Sequence, residues 1–157
     1  MIQRIQSVFL FLVAACMFGV LFTDIWVKIE GDDLAVLNAM SLTHSNDDTV
    51  IATVNTIYLA IVACLASAIA MGSMFSFKNR MNQVKINTLN ALFIAAVMGI
   101  NVYLVFLKGI PMFGEEVNQG NFKAGFFLPI AALVFNRMAT RFIWKDEKLV
   151  KSVDRLR

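Results

Sequence analysis

The sequence predicts an all-α integral membrane protein with four transmembrane helices arranged as a bundle. Of its 157 residues, 59% are hydrophobic and 16% are charged, whereas a soluble domain averages about 45–50% and about 25%. The hydrophobic residues also fall into four long stretches, and each reaches the about 20 residues that a helix needs to cross a hydrocarbon core of roughly 30 Å. This composition excludes an ordinary soluble globular domain and an intrinsically disordered chain.

Each predicted span has its own features. The first is expected to remain as an uncleaved anchor, because its apolar run exceeds the about 7–15 residues of a signal-peptide core. The second is longer than the hydrocarbon core is thick, so it is expected to tilt or protrude. The fourth is the least apolar, with Pro129 near its start and Arg137 and Arg141 near its end. The four spans are residues 5–26, 50–75, 86–107 and 124–144.

The segments that connect the spans on the outer side are short. Residues 27–49 and 108–123 offer too little chain for an independently folded domain. The first is expected to hold at most a small interfacial helix, with the sequence AVLNAMSL, and the second an irregular return, KGIPMFGEE. The predicted domain is therefore a single four-helix transmembrane unit, residues 1–144, followed by a tail.

The basic residues predict the orientation, because short loops rich in Lys and Arg stay in the cytoplasm. Eleven of the 14 basic residues lie before span one, between spans two and three, or at and beyond the end of span four. The acidic residues are concentrated on the opposite side. Both termini are therefore expected in the cytoplasm. The basic residues there are expected to contact anionic lipid head groups rather than nucleic acid.

Small residues in spans two and three predict the faces through which the helices pack. In lipid, helices associate through the close approach of small side chains, since burying apolar surface gives no gain there. In span two the small residues recur every three or four positions, which places them on one helical face. The alternative is that alanine is simply common in membrane helices. The predicted packing residues are Ala52, Thr56, Ala60, Ala63, Ser67, Ala70, Ala91, Ala95 and Gly99.

Three asparagines, Asn55, Asn101 and Asn136, are predicted to lie within or near the spans. An amide that faces lipid is costly, so each is expected to point into the bundle or toward a protein partner. Interhelical hydrogen bonds are favoured over a solute pathway as their role. Arg137 is expected to extend to the cytoplasmic head groups, and the alternative is a pair with a partner's carboxylate or a lipid phosphate.

The sequence offers no pattern for catalysis or for holding a metal or cofactor. His44 is the single histidine, and one histidine near acidic residues falls short of the ligand set of a transition-metal site. Cys16 and Cys64 fall within the spans, where a thiol acts as a small apolar side chain. The sequence also lacks a phosphate-binding glycine loop and a recognisable catalytic triad. The protein is therefore expected not to be an enzyme and to need no cofactor.

The last segment, residues 145–157, is predicted to continue the fourth span as a basic amphipathic cytoplasmic helix. Leu149, Val153 and Leu156 recur at helical spacing and form a partial apolar stripe on a charged helix. Such a stripe is expected to lie on lipid, to pack on the inner loop of the bundle itself or to dock on a protein partner. The residues predicted to contact a partner or lipid are Arg137, Arg141, Lys145, Lys148, Leu149, Val153, Arg155, Leu156 and Arg157.

Both ends of the chain resemble a known family. The opening MIQRIQSVFLFL, the segment FFLPIAALVFNRMATRFI and above all the ending KDEKLVKSVDRLR are similar to the small four-span inner-membrane proteins of Bacteroidota grouped as domain of unknown function 4293. The resemblance covers essentially the full chain. It implies a location in the inner membrane and a four-span topology, but no activity. The signature positions are Asn136, Arg137, Arg141, Lys145, Asp146, Glu147, Arg155 and Arg157.

Three functions remain as hypotheses. The leading one is a non-catalytic accessory subunit or assembly factor of a larger membrane complex, which docks on other membrane subunits through small-residue helix faces and the cytoplasmic tail. The alternative is a small channel or carrier, for which an oligomer such as a dimer is one option because four spans alone enclose little volume. The third is a lipid-interacting membrane protein, for which Arg137 and Arg141 would be the contact residues.

Overall fold

A computed structural model describes residues 2–46, 49–76, 80–113 and 118–154 of the chain. Within these residues the chain forms four α-helices and five β-strands. After α3 the chain continues through a π-helical turn and a 3-10 turn, residues 104–113, which we call the α3 extension. The elements are α1 (Ile2–Gly19), β1 (Trp26–Glu30), β2 (Asp33–Leu37), β3 (Ser41–Asn46), β4 (Thr49–Asn55), α2 (Ile57–Phe75), α3 (Arg80–Tyr103), β5 (Asn121–Phe122) and α4 (Ala124–Asp154).

Four helices are long and apolar enough to cross a membrane, which confirms the number of predicted spans and indicates a membrane protein. α4 is one unbroken helix from Ala124 to Asp154, so it includes the start of the predicted tail. The last three residues of that tail, 155–157, lie outside the described residues. The candidate spans are Ile5–Phe22, Ile57–Phe75, Arg80–Phe113 and Ala124–Val150.

The helices pack side by side in chain order, and α4 returns to contact α1. Ser67 Oγ of α2 donates a hydrogen bond to the carbonyl of Ala14 in α1 at 3.1 Å. Phe9 of α1 stacks on Phe142 of α4, with ring centroids 5.5 Å apart. Buried apolar side chains fill the space between the helices, among them Val13, Met17, Ala63, Ala66, Ala70, Ile94, Val97 and Ala132.

A five-stranded antiparallel sheet lies at the end of the helices where α1 finishes and α2 begins. The prediction of an all-α fold is therefore wrong in this region. AVLNAMSL, which was expected to form an interfacial helix, instead forms the end of β2, a turn and the start of β3. The turn is stabilised by Asn38, whose side-chain oxygen accepts hydrogen bonds from the backbone N–H groups of Met40 and Ser41. The strand order is β4-β3-β2-β1-β5.

β4 occupies the first residues of the predicted second span. Its sequence, TVIATVN, is rich in β-branched residues, which favour strands. The hydrogen bond from Thr56 N to Met40 O, 3.0 Å long, continues the strand pairing to the last residue before α2. The second span consequently begins at Ile57 instead of Val50. Because the apolar strand runs directly into the apolar helix, no polar break in the sequence marks this boundary.

Trp26 anchors the sheet to the rest of the molecule. Its side chain is fully buried, and its indole N–H donates a hydrogen bond to Gln119 O at 2.7 Å. The ring leaves so little room that a Cβ added to Gly109 would lie 2.8 Å from it. Gly120, next to Gln119, has a φ of 74° and is equally close, since its Cβ would lie 2.9 Å from both Trp26 Nε1 and Lys28 Cβ.

We expect Gly120→Ala to lower the thermal midpoint of the protein more than Gly31→Ala. Both glycines have a positive φ, which costs an alanine about 1 kcal/mol or more. Gly31 has open space around it, whereas Gly120 has the Trp26 ring and Lys28 Cβ in contact. Thermal unfolding in detergent of the two variants measures the difference. Equal shifts would show that the contact with Trp26 adds nothing to the cost of the backbone conformation.

Candidate interaction surfaces

One face of the sheet, the covered face, packs toward the helices. Next to the helices it carries an apolar row, Trp26, Leu37 and Leu42, which belongs to a buried cluster with Leu59 and Leu104 of the helical part. The strand register places the next rows farther from this cluster. Those rows carry the charged and polar side chains of the strands, Lys28, Glu30, Asp33, His44 and Asn46.

Lys28 is the most unusual residue of the covered face. Its side chain is fully buried, and its ammonium lies 2.9 Å from Glu30 Oε2. The same ammonium lies 4.4 Å from the centre of the Phe113 ring, at the end of the α3 extension. A cation in this position gains both the ion pair and the cation–π attraction. The pair with Glu30 therefore compensates the desolvation of a lysine inside the sheet.

The second polar group of the covered face is centred on Asp33. Its Oδ1 accepts a hydrogen bond from Asn46 Nδ2 at 2.6 Å and lies 3.7 Å from His44 Nε2. The His44 ring also contacts Phe113, with centroids 5.0 Å apart. In the described part of the chain no group of histidine, cysteine and acidic side chains has the arrangement of a metal site. The polar contacts of Asp33 therefore join β2 to β3, and the ring contact of His44 with Phe113 joins the sheet to the α3 extension.

The opposite side of the sheet, which we call the open face, has no charged side chain in strands β1 to β4. The register places Ile29, Leu34, Ser45 and Val50 in one cross-strand row. A parallel row holds the side chains of Val27, Val36, Thr43 and Thr53. The exposed fraction is 63% for Ile29 and 66% for Val50. Apolar side chains are thus presented outward, while the charged side chains of the same strands face inward.

β4 forms one edge of the sheet. On one side it pairs with β3 along its length, with an irregularity near Ser45, and on the other side no described strand pairs with it. Proteins commonly protect such edges with lysine, proline or a covering segment. β4 contains neither lysine nor proline. The outer backbone groups of β4 therefore have no strand partner among the described residues.

At the opposite end of the helices, polar side chains join α2, α3 and α4. Ser73 Oγ donates to Asn87 Oδ1 at 2.6 Å, and Gln83 Nε2 donates to Ser73 O at 3.0 Å. Asn136 Nδ2 of α4 donates to Asn87 O at 2.9 Å. All four side chains are buried. These hydrogen bonds hold the three helices together where apolar packing gives little.

The buried polar face of α3 was only partly predicted. Of the predicted asparagines, Asn101 of α3 and Asn136 of the neighbouring α4 are buried, with exposed fractions of 1% and 3%. Gln83 and Asn87 were not among the predicted polar residues. Their signal was the helical spacing, because the buried positions of α3 recur every three or four residues on one face: Gln83, Asn87, Asn90, Ile94, Val97 and Asn101.

The structure places the predicted packing residues in three regions: along α2, in or next to β4, and on α3. Ala60, Ala63, Ser67 and Ala70 are buried along α2. Ala52 lies in β4 opposite His44, and Thr56 precedes α2, where its hydroxyl donates to Asn38 O. Both therefore lie outside the helix for which they were predicted. In α3 the small residues do not form the packed face, because Ala91 is half-buried and Ala95 and Gly99 are exposed.

Asn55 requires a correction. It was predicted to lie within or near the second span, but it is the exposed last residue of β4, and its Oδ1 accepts a hydrogen bond from the backbone N–H of Ile57. This bond supplies an acceptor for the backbone N–H of the first residue of α2, which has no partner within the helix. Asn55 therefore gives no support to a polar pathway through the helices.

The tail contacts the body of the protein at its first residues. Arg80, at the start of α3, lies 3.1 Å from Asp146 and 3.9 Å from Glu147 of α4. Lys145 and Lys148 are exposed on the same stretch of helix, as are Arg137 and Arg141 one to two turns earlier. Leu149 is 49% exposed. The side chains of Val153, Arg155, Leu156 and Arg157 lie outside the described residues.

Four helices able to span a membrane, with a small sheet closing one end, define a helical membrane protein. The chain belongs to the DUF4293 family, which is described as a domain of unknown function and whose family model matches residues 2–156. This match confirms the resemblance seen in the two ends of the sequence. No curated protein matches the chain.

Proposed function

We propose that this protein is a non-catalytic accessory subunit or assembly factor of a larger membrane complex, and that it binds another membrane protein through the open face of its sheet. The observation that supports this most directly is the distribution of side chains on the strands. Lys28, Glu30 and Asp33 face inward, while Ile29, Leu34 and Val50 are exposed on the other side. Exposed apolar side chains grouped on one surface outside the helices are typical of a binding site for a partner.

The composition of the open face favours a protein partner over a lipid surface. Surfaces that lie on lipid combine basic side chains with aromatic ones. The two cross-strand rows of the open face contain neither, and consist of valine, isoleucine, leucine, serine and threonine. The adjoining edge strand, Thr49–Asn55, offers backbone hydrogen bonds to an added strand. The proposed partner is therefore a membrane protein that presents an extended apolar segment to this face and edge.

The proposed orientation follows from charge. The end with the α2–α3 connection carries Arg80 and Lys85, and the exposed basic side chains of α4 lie toward the same end. We place this end, with both termini, in the cytoplasm of a bacterial cell and the helices in its inner membrane. The sheet then lies on the outer side, where the open face meets the outer segment of the partner. The small residues of α2 are buried against other parts of the same chain. They are therefore not exposed to a partner, and the open face of the sheet is the proposed docking surface instead.

Lysine substitutions on the open face test this proposal. We expect Ile29→Lys and Val50→Lys each to reduce the amount of stoichiometric partner that copurifies with the tagged protein from native membranes by at least tenfold. Because both side chains are exposed, the thermal midpoint should change little. Quantitative mass spectrometry of the purified complexes measures the partner.

Gln119→Lys provides the matched control, since the Gln119 side chain is exposed at the same end of the molecule but is not part of the two open-face rows, and the variant keeps the carbonyl that accepts the Trp26 hydrogen bond. It should retain the partner at the native level. Loss of the partner in all three variants would indicate a general effect of added charge. Recovery of the native protein only as a monomer or as a dimer of identical chains would contradict the proposal.

A further inference from the structure

A cavity lies between α3 and α4, on the half of the helices remote from the sheet. Its volume is about 130 Å³, several times the about 30 Å³ that a water molecule takes up in the liquid. Its walls include Asn87 and Thr88 of α3 and Leu133, Asn136 and Arg137 of α4. Arg137 itself is exposed. The cavity therefore joins a buried amide pair to a cation at the surface.

The two amides each have one polar atom without a partner. Asn87 uses its Oδ1 and its carbonyl in the hydrogen bonds with Ser73 and Asn136, which leaves Asn87 Nδ2 unpaired. Asn136 uses its Nδ2 in the same way, which leaves Asn136 Oδ1 unpaired. The residues are 0% and 3% exposed. A buried polar atom without a partner is unfavourable, so a ligand that satisfies both atoms gains affinity.

The donors and acceptor of the cavity specify the chemistry of such a ligand. The Arg137 guanidinium and the Asn87 Nδ2 group are donors, and together they suit the oxygens of a phosphate. Asn136 Oδ1 is an acceptor, and a phosphodiester has no hydrogen to give it. The ligand must therefore carry a second group with an N–H or O–H close to its phosphate.

The location of the cavity indicates where this ligand comes from. Arg137 is 13 residues beyond Ala124, or about 20 Å along α4 at a rise of about 1.5 Å per residue. In a hydrocarbon core of roughly 30 Å this places its Cα about 10 Å from the far boundary, within reach of the head groups for an arginine side chain. On the cytoplasmic side, where the proposed orientation places Arg137, basic pockets between membrane helices are typical binding sites for anionic lipid head groups.

We infer that the α3–α4 cavity binds the head group of a phospholipid whose phosphate is joined to an ammonium or hydroxyl donor, such as phosphatidylethanolamine or phosphatidylglycerol. The phosphate lies against Arg137 and Asn87 Nδ2, and the donor group binds Asn136 Oδ1. Phosphatidylcholine has the same phosphate, but its quaternary ammonium has no N–H to donate. This inference is independent of the docking function proposed for the open face.

Native mass spectrometry of the purified full-length protein with defined lipids tests the inference. We expect phosphatidylethanolamine and phosphatidylglycerol to bind the native protein at least tenfold more tightly than phosphatidylcholine. Arg137→Gln should weaken binding of the two preferred lipids by at least tenfold. Since Arg137 is exposed, this variant should keep its fold, which its thermal midpoint verifies.

Arg141→Gln is the matched control, because Arg141 is an exposed arginine one turn farther along α4 that does not line the cavity. It should bind the lipids like the native protein. Equal losses in both arginine variants, or binding of phosphatidylcholine at the level of the other lipids, would overturn the inference. Inorganic phosphate at millimolar concentration should leave the lipids bound, and their displacement would assign the cavity to a free phosphate instead of a lipid.

Discussion

Replacing Glu30 by glutamine is expected to destabilise the protein more than replacing Lys28 by methionine. Lys28 is fully buried, and Glu30 Oε2 lies 2.9 Å from its ammonium. Removing the carboxylate leaves a buried cation without its anionic partner, which costs about 3 kcal/mol, the lower end of the range for such changes because Glu30 is 27% exposed. Lys28→Met instead removes the cation and places an apolar chain of similar length beside the Phe113 ring.

Thermal and denaturant unfolding of the two single variants and of the double variant, Lys28→Met with Glu30→Gln, measures this order. The double variant should recover most of the stability that Glu30→Gln loses, because no cation is then left unpaired. Asp32→Asn removes a carboxylate from the exposed neighbouring turn and should have little effect. A double variant as unstable as Glu30→Gln alone would show that the ion pair is not the reason for the loss.

Ala63→Phe is expected to prevent the helices from assembling. Ala63 is fully buried and belongs to the apolar cluster that includes Val13 and Met17 of α1. Protein interiors are close-packed, so a ring at this position must push α1 and α2 apart, at a cost above the about 1–3 kcal/mol of smaller overpacking changes. The variant should give little monodisperse protein on size-exclusion chromatography in detergent.

Ala68→Phe adds the same ring to the same helix at an exposed position. It should be produced and purified like the native protein, because the ring then projects toward lipid. The comparison separates the packing effect from any general effect of phenylalanine on membrane insertion. Normal yield and thermal stability of Ala63→Phe would disprove the close packing of α2 on α1.

The helices were predictable from the sequence because a membrane span requires a long apolar stretch, and four such stretches are present. The sheet was not. In β1 the residues from Val27 to Glu30 alternate in polarity, which is a strand signal, whereas β2 is apolar after Asp33, and both segments are only five residues long. In β4 the apolar run continues into α2, so hydropathy alone joined strand and helix into one span.

The assignment of the two sheet faces could not have come from polarity alone. Alternation in WVKIE would normally place Val27 and Ile29 in the interior and Lys28 at the surface. The structure reverses this, because Trp26 must face the helices and Lys28 shares its side of the strand. The compensating partner, Phe113, is distant in sequence. Likewise, the cavity beside Arg137 depends on two helices meeting, which spacing within one helix cannot reveal.

The sheet is completed by residues that the ribosome makes late. β1 pairs with β5 through Trp26 and Phe122, and the ring that covers Lys28 belongs to residue 113. During synthesis, β1 to β4 therefore emerge well before their final neighbours and must wait for the third helix to be inserted. Such long-range pairings slow folding. Maturation of this part of the protein is consequently tied to the insertion of its third helix, and a nascent chain arrested before residue 113 would leave the lysine ammonium without its aromatic cover.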